Sequence, residues 1–135
     1  MACLDTTFFI DLHSPRSKHR PAATQKLADL VNRGELLATT RFNVAELFLG
    51  VHLAANKRKE LQRVKKFLAG VQVLPFGRGA AWLFGKTGAY LRKGGNPIAS
   101  LDLLIAVTAL STGHAIITRN PGHFARVPGL IVESY

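Results

Sequence analysis

The chain is poor in cysteine, in acidic residues and in large aromatics other than phenylalanine: 135 residues hold one Cys, eight Asp plus Glu, one Trp and two Tyr. A single cysteine, Cys3, excludes an internal disulfide framework and a cysteine-rich zinc site. It fits a reducing compartment most simply. Long apolar runs are missing too. The longest stretch without Asp, Glu, Lys or Arg is Leu103 to Thr118, and Ser111, Thr112, Gly113 and His114 interrupt it. A membrane-spanning helix needs about 20 predominantly apolar residues, so no membrane partner is expected. Met1-Ala2-Cys3-Leu4 meets Asp5 with no basic leader, so no secretory signal is read and a cytoplasmic location is expected. His13, His19, His52, His114 and His123 lack a metal-ligand spacing such as His-Glu-x-x-His.

What is abundant is positive charge. Lys plus Arg number 18, giving +10 and a sequence pI near 10.5. Such a charge on a small domain points to a polyanionic partner, either nucleic acid or an acidic protein. Hydrophobic residues make up 47% and charged residues 19%, so the chain should fold rather than remain disordered. Residues 1–135 fit one domain with one core.

Apolar spacing suggests an alternation of strands and helices. Strands are expected at Ala2–Asp5, Leu36–Thr39, Val71–Leu74, Ala115–Thr118 and Leu130–Val132. Thr6 and Thr7 can cap a brief helix through Phe8, Phe9 and Ile10. His13–Pro21 reads as a basic loop. Leu27, Leu30 and Val31 mark a helix closed by Gly34. Val44, Leu47, Phe48 and Val51 mark the next, and Leu61, Val64 and Leu68 another. Gly79–Lys93 reads as a helix weakened by Gly85 and Gly88. Ser100–Leu110 is apolar nearly all round and should be central. The order predicts a parallel sheet covered on both faces, with ligands at the carboxyl ends of its strands.

Four of the eight acids have no obvious solvated role: Asp5, Asp11, Glu46 and Asp102. Asp5 either faces the ligand-binding edge or caps the helix that follows. Glu46, in Asn43-Val44-Ala45-Glu46, is either a site residue or part of a capping box. Asp102 suits the first turn of a helix, yet that helix is so apolar that its carboxylate needs a partner or a metal. Asp11 reads best as a salt bridge near the site. Three acids at helix starts would gather on one sheet edge, repel each other and need a cation. Hard oxygen ligands select Mg²⁺ or Mn²⁺. In a basic protein that combination is the chemistry of phosphodiester hydrolysis.

The chain resembles the PIN-domain ribonucleases of the VapC toxin type. The matching stretches are Leu4-Asp5-Thr6-Thr7-Phe8-Phe9-Ile10-Asp11-Leu12, Val44-Ala45-Glu46-Leu47-Phe48-Leu49-Gly50, Asp102-Leu103-Leu104-Ile105-Ala106 with Ala109-Leu110, and Ile117-Thr118-Arg119-Asn120 through His123-Phe124 to Pro128-Gly129-Leu130. The resemblance implies a three-layer α/β fold with a parallel sheet of order 3-2-1-4-5 flanked by helices. It also implies a metal-dependent endoribonuclease acting as the toxin of a toxin–antitoxin pair, with a VapB-like antitoxin. Asp5, Glu46 and Asp102 fall on the acidic metal-site positions, and Thr7 on the small polar position after the first Asp. Thr118 is a supporting polar residue. Asn120 falls where many relatives carry a fourth acid, and His123 where relatives often have an Asp.

Lys57 to Lys66 is the densest basic run and reads as a solvated helix face or as a contact for RNA or antitoxin. Arg41 and Arg119 are the candidate phosphate contacts. Phe8, Phe9, Leu49, Trp82 and Phe84 are more large apolar groups than one small domain easily buries, so a homodimer is expected. Trp82, Phe84 and Tyr90 read as core or interface residues. Two other functions compete with the Mg²⁺-dependent ribonuclease: a PIN-like module that binds RNA or protein without cutting, and a DNA nuclease.

Overall fold

Apolar runs of two to four residues become strands here, and longer amphipathic stretches become the helices that cover them. The computed structural model describes residues 1–135. Its elements are β1 (Ala2–Leu4), α1 (Thr6–His13), α2 (Arg20–Asn32), β2 (Leu37–Thr40), α3 (Arg41–Leu53), α4 (Lys57–Ala69), β3 (Gln72–Leu74), α5 (Arg78–Lys93), α6 (Ser100–Ser111), β4 (Ala115–Ile117), a 3₁₀ turn (Pro121–His123) and β5 (Val132–Glu133). The five strands form one sheet of order β3-β2-β1-β4-β5, with every pair parallel.

Alternation along β1 sends Cys3 to one face and Ala2 and Leu4 to the other. The Cys3 face packs on α5 and α6, where Leu103, Ile105, Ala106, Val107 and Ala109 are buried. Burial, and then the charge of Asp5, push the Cys3 thiol up to about 12, so it behaves as an apolar side chain. The opposite face packs on Phe8 of α1 and on Ala23 and Leu30 of α2. A third cluster, Phe9, Leu47, Val51 and Val64, joins α1, α3 and α4. Gly88 has a packing reason: a Cβ there would stand 3.2 Å from Leu103 Cδ2, so its absence lets α5 lie close to α6. Gly34 and Gly113 follow the ends of α2 and α6 with φ of 69° and 73°, a conformation that favours glycine at a helix end.

Several boundaries differ from those expected. The helix after the basic loop starts at Arg20 rather than near Leu27, because Pro21 suits a first helical turn. β1 stops at Leu4, and Asp5, rather than Thr6 or Thr7, is the N-cap of α1. α6 begins at Ser100, as expected, and runs one residue further, to Ser111. The last strand is Val132–Glu133, two residues later than expected at its start, because Leu130 is still closing a turn onto Val127. Phe8 and Phe9 are buried within the chain, so they leave the set of exposed apolar groups. Trp82 and Tyr90 leave the core, being 73% and 64% exposed.

Candidate functional site

The sheet changes direction between β1 and β4. The chain moves outward from β1 through β2 to β3, then returns to place β4 on the other side of β1. In open α/β sheets the crevice beyond the strands' carboxyl ends at such a point receives ligands. Leu4 pairs in register with Ile117, so the next residues, Asp5 and Thr118, emerge side by side.

Asp5 is buried, and all its donors are neutral. Oδ1 accepts from the Thr6 amide at 2.9 Å and from Asn43 Nδ2 at 3.1 Å. Oδ2 accepts from the hydroxyls of Thr118 at 2.8 Å and Thr7 at 3.3 Å. Asp5 therefore caps α1 from a position at the carboxyl edge of the sheet. Thr7 and Thr118 both donate to the same oxygen of Asp5.

Glu46 does not cap α3. The capping box lies earlier: Thr40 Oγ1 accepts from the Asn43 amide, and the Asn43 side chain accepts from the Thr40 amide. Glu46 falls in the second turn and is free for another partner. Thr6 Oγ1 donates to its Oε1 at 2.9 Å and accepts from Asn43 Nδ2 at 3.0 Å. Asn43 and Thr6 thus link Glu46 to Asp5. Sequence reasoning missed both in this role. The signal in the sequence was Asn43 itself, a carboxamide between the strand Leu36–Thr39 and Glu46.

Asp102, in the first turn of α6, has His123 as partner, with Nδ1 at 3.2 Å from Oδ2. This contact was also missed, because the two residues meet only after the 3₁₀ turn folds back. Asn120 opens that turn, and its amide donates to Thr118 Oγ1 at 3.0 Å. Arg41 is the exposed first residue of α3. Arg119 is tied through Nη1 to Asp11 at 2.7 Å, so the expected salt bridge of Asp11 is present.

The electrostatics join the three acids. Burial pushes Glu46 above the ordinary carboxylate value; the Thr6 bond opposes this, and the charges of Asp5 and Asp102 add to it. Burial likewise raises Asp102; His123 opposes this and Asp5 adds to it. No three His, Cys, Asp or Glu side chains stand close enough to grip one ion between them. By donor chemistry, carboxylate oxygens are the ligands that suit a hard divalent cation.

The PIN domain family model matches residues 2–130. The chain belongs to the PIN-domain family. It is similar to ribonuclease VapC19 of Mycobacterium tuberculosis, with 30% identity over 96% of this chain and 97% of that one. It is also similar to the tRNA(fMet)-specific endonuclease VapC of Shigella flexneri, with 30% identity over 87% and 88% of the two chains. Within the PIN domains it therefore sits among the VapC ribonucleases. Among solved structures it is similar to VapBC-1 from nontypeable Haemophilus influenzae, with a TM-score of 0.85, 27% identity, and 98% and 96% of the two chains covered.

Proposed function

We propose that this chain is a metal-dependent endoribonuclease, the toxin of a toxin–antitoxin pair, that hydrolyses RNA phosphodiesters. The carrying observation is the carboxylate group at the switch point, in which Glu46 and Asp102 are raised by burial and by the charge of Asp5. Asp5, Glu46 and Asp102 would hold Mg²⁺ or Mn²⁺, with Asn120 as a fourth catalytic residue beside them. A bound divalent ion supplies a water of lowered pKa and offsets charge on the phosphate. The chain's own groups do the positioning. Thr7, Thr118 and Asn43 orient Asp5, Thr6 orients Glu46, and His123 orients Asp102. Arg41 and Arg119 contact RNA phosphates, and the excess of Lys and Arg draws the strand in.

The Haemophilus influenzae neighbour is a VapBC structure, which supports a small VapB-like antitoxin as partner. The exposed apolar groups Leu49, Leu53 and Trp82 support a homodimer. No helix is long and apolar enough to cross a membrane. The cytoplasm, where RNA is plentiful, is the proposed place of action.

One observation favours a second reading, binding without cutting: Asn120 stands where the resemblance places a fourth acid. A single assay separates the readings. The purified chain is incubated with RNA and with DNA of the same sequence, in Mg²⁺, in Mn²⁺ and in EDTA. Metal-dependent RNA cleavage leaving 5′-phosphate and 3′-hydroxyl ends is the expected result. RNA binding with no cleavage in either metal would select the binding module, and preferential cutting of DNA the DNA nuclease.

A further inference from the structure

Asp11 is fully buried, and its two oxygens have different partners. Oδ1 accepts from Ser17 Oγ at 2.6 Å and from Arg119 Nη1 at 2.7 Å. Oδ2 accepts from the Tyr135 hydroxyl at 2.8 Å. The Tyr135 ring stands edge-on to Phe8, with centroids 5.1 Å apart, so the phenol is held in place. A guanidinium facing a carboxylate commonly makes two parallel bonds. Here the phenol occupies the second oxygen, and the pairing is through one nitrogen only. Burial and the neighbouring Asp11 push the Tyr135 phenol up, so it stays protonated and keeps donating.

The consequence falls on Arg119. Guanidinium has five N–H donors. Only Nη1 has a protein acceptor, no buried polar side-chain atom is left unpartnered, and the side chain is 32% exposed. The remaining donors therefore face solvent. The Arg119 backbone is tied to the site itself. Its amide donates to Thr7 Oγ1 at 3.4 Å, and its neighbour Thr118 donates to Asp5.

We propose that Asp11 and Tyr135 are positioning residues that seat Arg119 through one nitrogen and leave its other donors for a phosphate oxygen of bound RNA. This rests on the ribonuclease reading and adds to it the groups that aim the arginine. A purely structural ion pair would gain from the two-point fork, which is absent here, where the phenol sits on the second oxygen. Asp11, Ser17 and Tyr135 form the seat, and Arg119 is the group that meets the substrate.

The test is equilibrium binding of a fluorescein-labelled single-stranded RNA in EDTA, by anisotropy over a range of salt, with thermal unfolding and Mg²⁺-dependent cleavage measured in parallel. Arg119→Gln should weaken binding about tenfold, the loss of one charged hydrogen bond, and lower the salt slope by about one. Tyr135→Phe frees Asp11 Oδ2 to take a second N–H of Arg119. It should weaken RNA binding severalfold with the melting temperature little changed. Should Arg119→Gln not fold, Arg119→Lys serves in its place, because a compact ammonium lacks the planar fork that reaches two separated acceptors. Wild-type affinity and salt slope in the Arg119 variant would overturn the proposal alone, with cleavage by the wild type intact. So would a Tyr135→Phe variant that loses thermal stability and keeps full RNA affinity. A wild-type chain that neither binds nor cleaves RNA would overturn the ribonuclease reading and this proposal with it.

Discussion

Asp5 caps the start of the short helix α1, Asp11 lies in its last turn, and the two have opposite surroundings. Asp11 is fully buried and balanced by a guanidinium, with a phenol and a hydroxyl completing its shell. Asp5 is nearly as buried, yet an amide N–H, a carboxamide and two threonine hydroxyls are its only donors. Neutral donors satisfy the lone pairs of a carboxylate without cancelling its charge. The uncancelled charge is felt by Glu46 and Asp102, and it adds to the burial that raises both. One region is thus electrostatically closed, and the other is left wanting a cation in a chain that carries +10 overall.

The largest effect that would break this contrast is on catalysis. Asp102→Asn should lower Mg²⁺-dependent RNA cleavage on the order of a hundredfold or more, the scale of losing one charge-stabilising group in an active site. RNA affinity should hold or tighten slightly, since one negative charge facing the backbone is gone. Full Mg²⁺-dependent cleavage by the variant would remove Asp102 from the mechanism.

The next effect is on stability in the closed region. Asp11→Ala strands Arg119 beside an emptied buried site and should cost about 3 kcal/mol in urea unfolding. A loss under about 1 kcal/mol would mean that the pair is worth no more than a surface contact.

The open region should respond in the other direction. Glu46 is raised in the folded state, so the folded chain holds its proton more tightly than the unfolded one. Stability therefore falls as pH rises from the ordinary value of 4.5 through the raised one, and the deficit persists at neutral pH. Glu46→Gln keeps an acceptor for Thr6 and removes the charge. In EDTA it should melt a few degrees above wild type at pH 7, with the difference vanishing well below pH 4.5. An equal or lower melting temperature at pH 7 would show that neither burial nor the neighbouring charges disfavour the ionised Glu46.

The smallest effect marks the surface baseline. Bonds from Lys26 and Arg33 hold Glu133 below its ordinary value. Its contribution is present above that ordinary value and is lost as pH falls through the lowered one. Glu133→Gln should cost less than about 1 kcal/mol at pH 7, measured by the same urea titration.

The order of strands and helices was legible in the sequence because it rests on spacing. Apolar residues at two- and three-to-four-residue intervals, and a glycine such as Gly34 at a helix end, act within a few residues of themselves. The composition also exposed the unusual acids, since so few of them had to be explained. Local reading failed wherever two local answers were equally good. Asn43 could begin a capping box with Glu46 or end one with Thr40, and the neighbour that decided was β2, which delivers Thr40 to the helix start. The remaining contacts join distant parts of the chain. Arg119 meets Asp11 across 108 positions, and Tyr135 meets it across 124. His123 reaches Asp102 only through the 3₁₀ turn after β4. Those pairings follow from β1 lying between β2 and β4, which brings the ends of separate strands to one edge. Periodicity and capping carry no record of that adjacency, because it is set by which surfaces bury best against each other once the helices and strands exist.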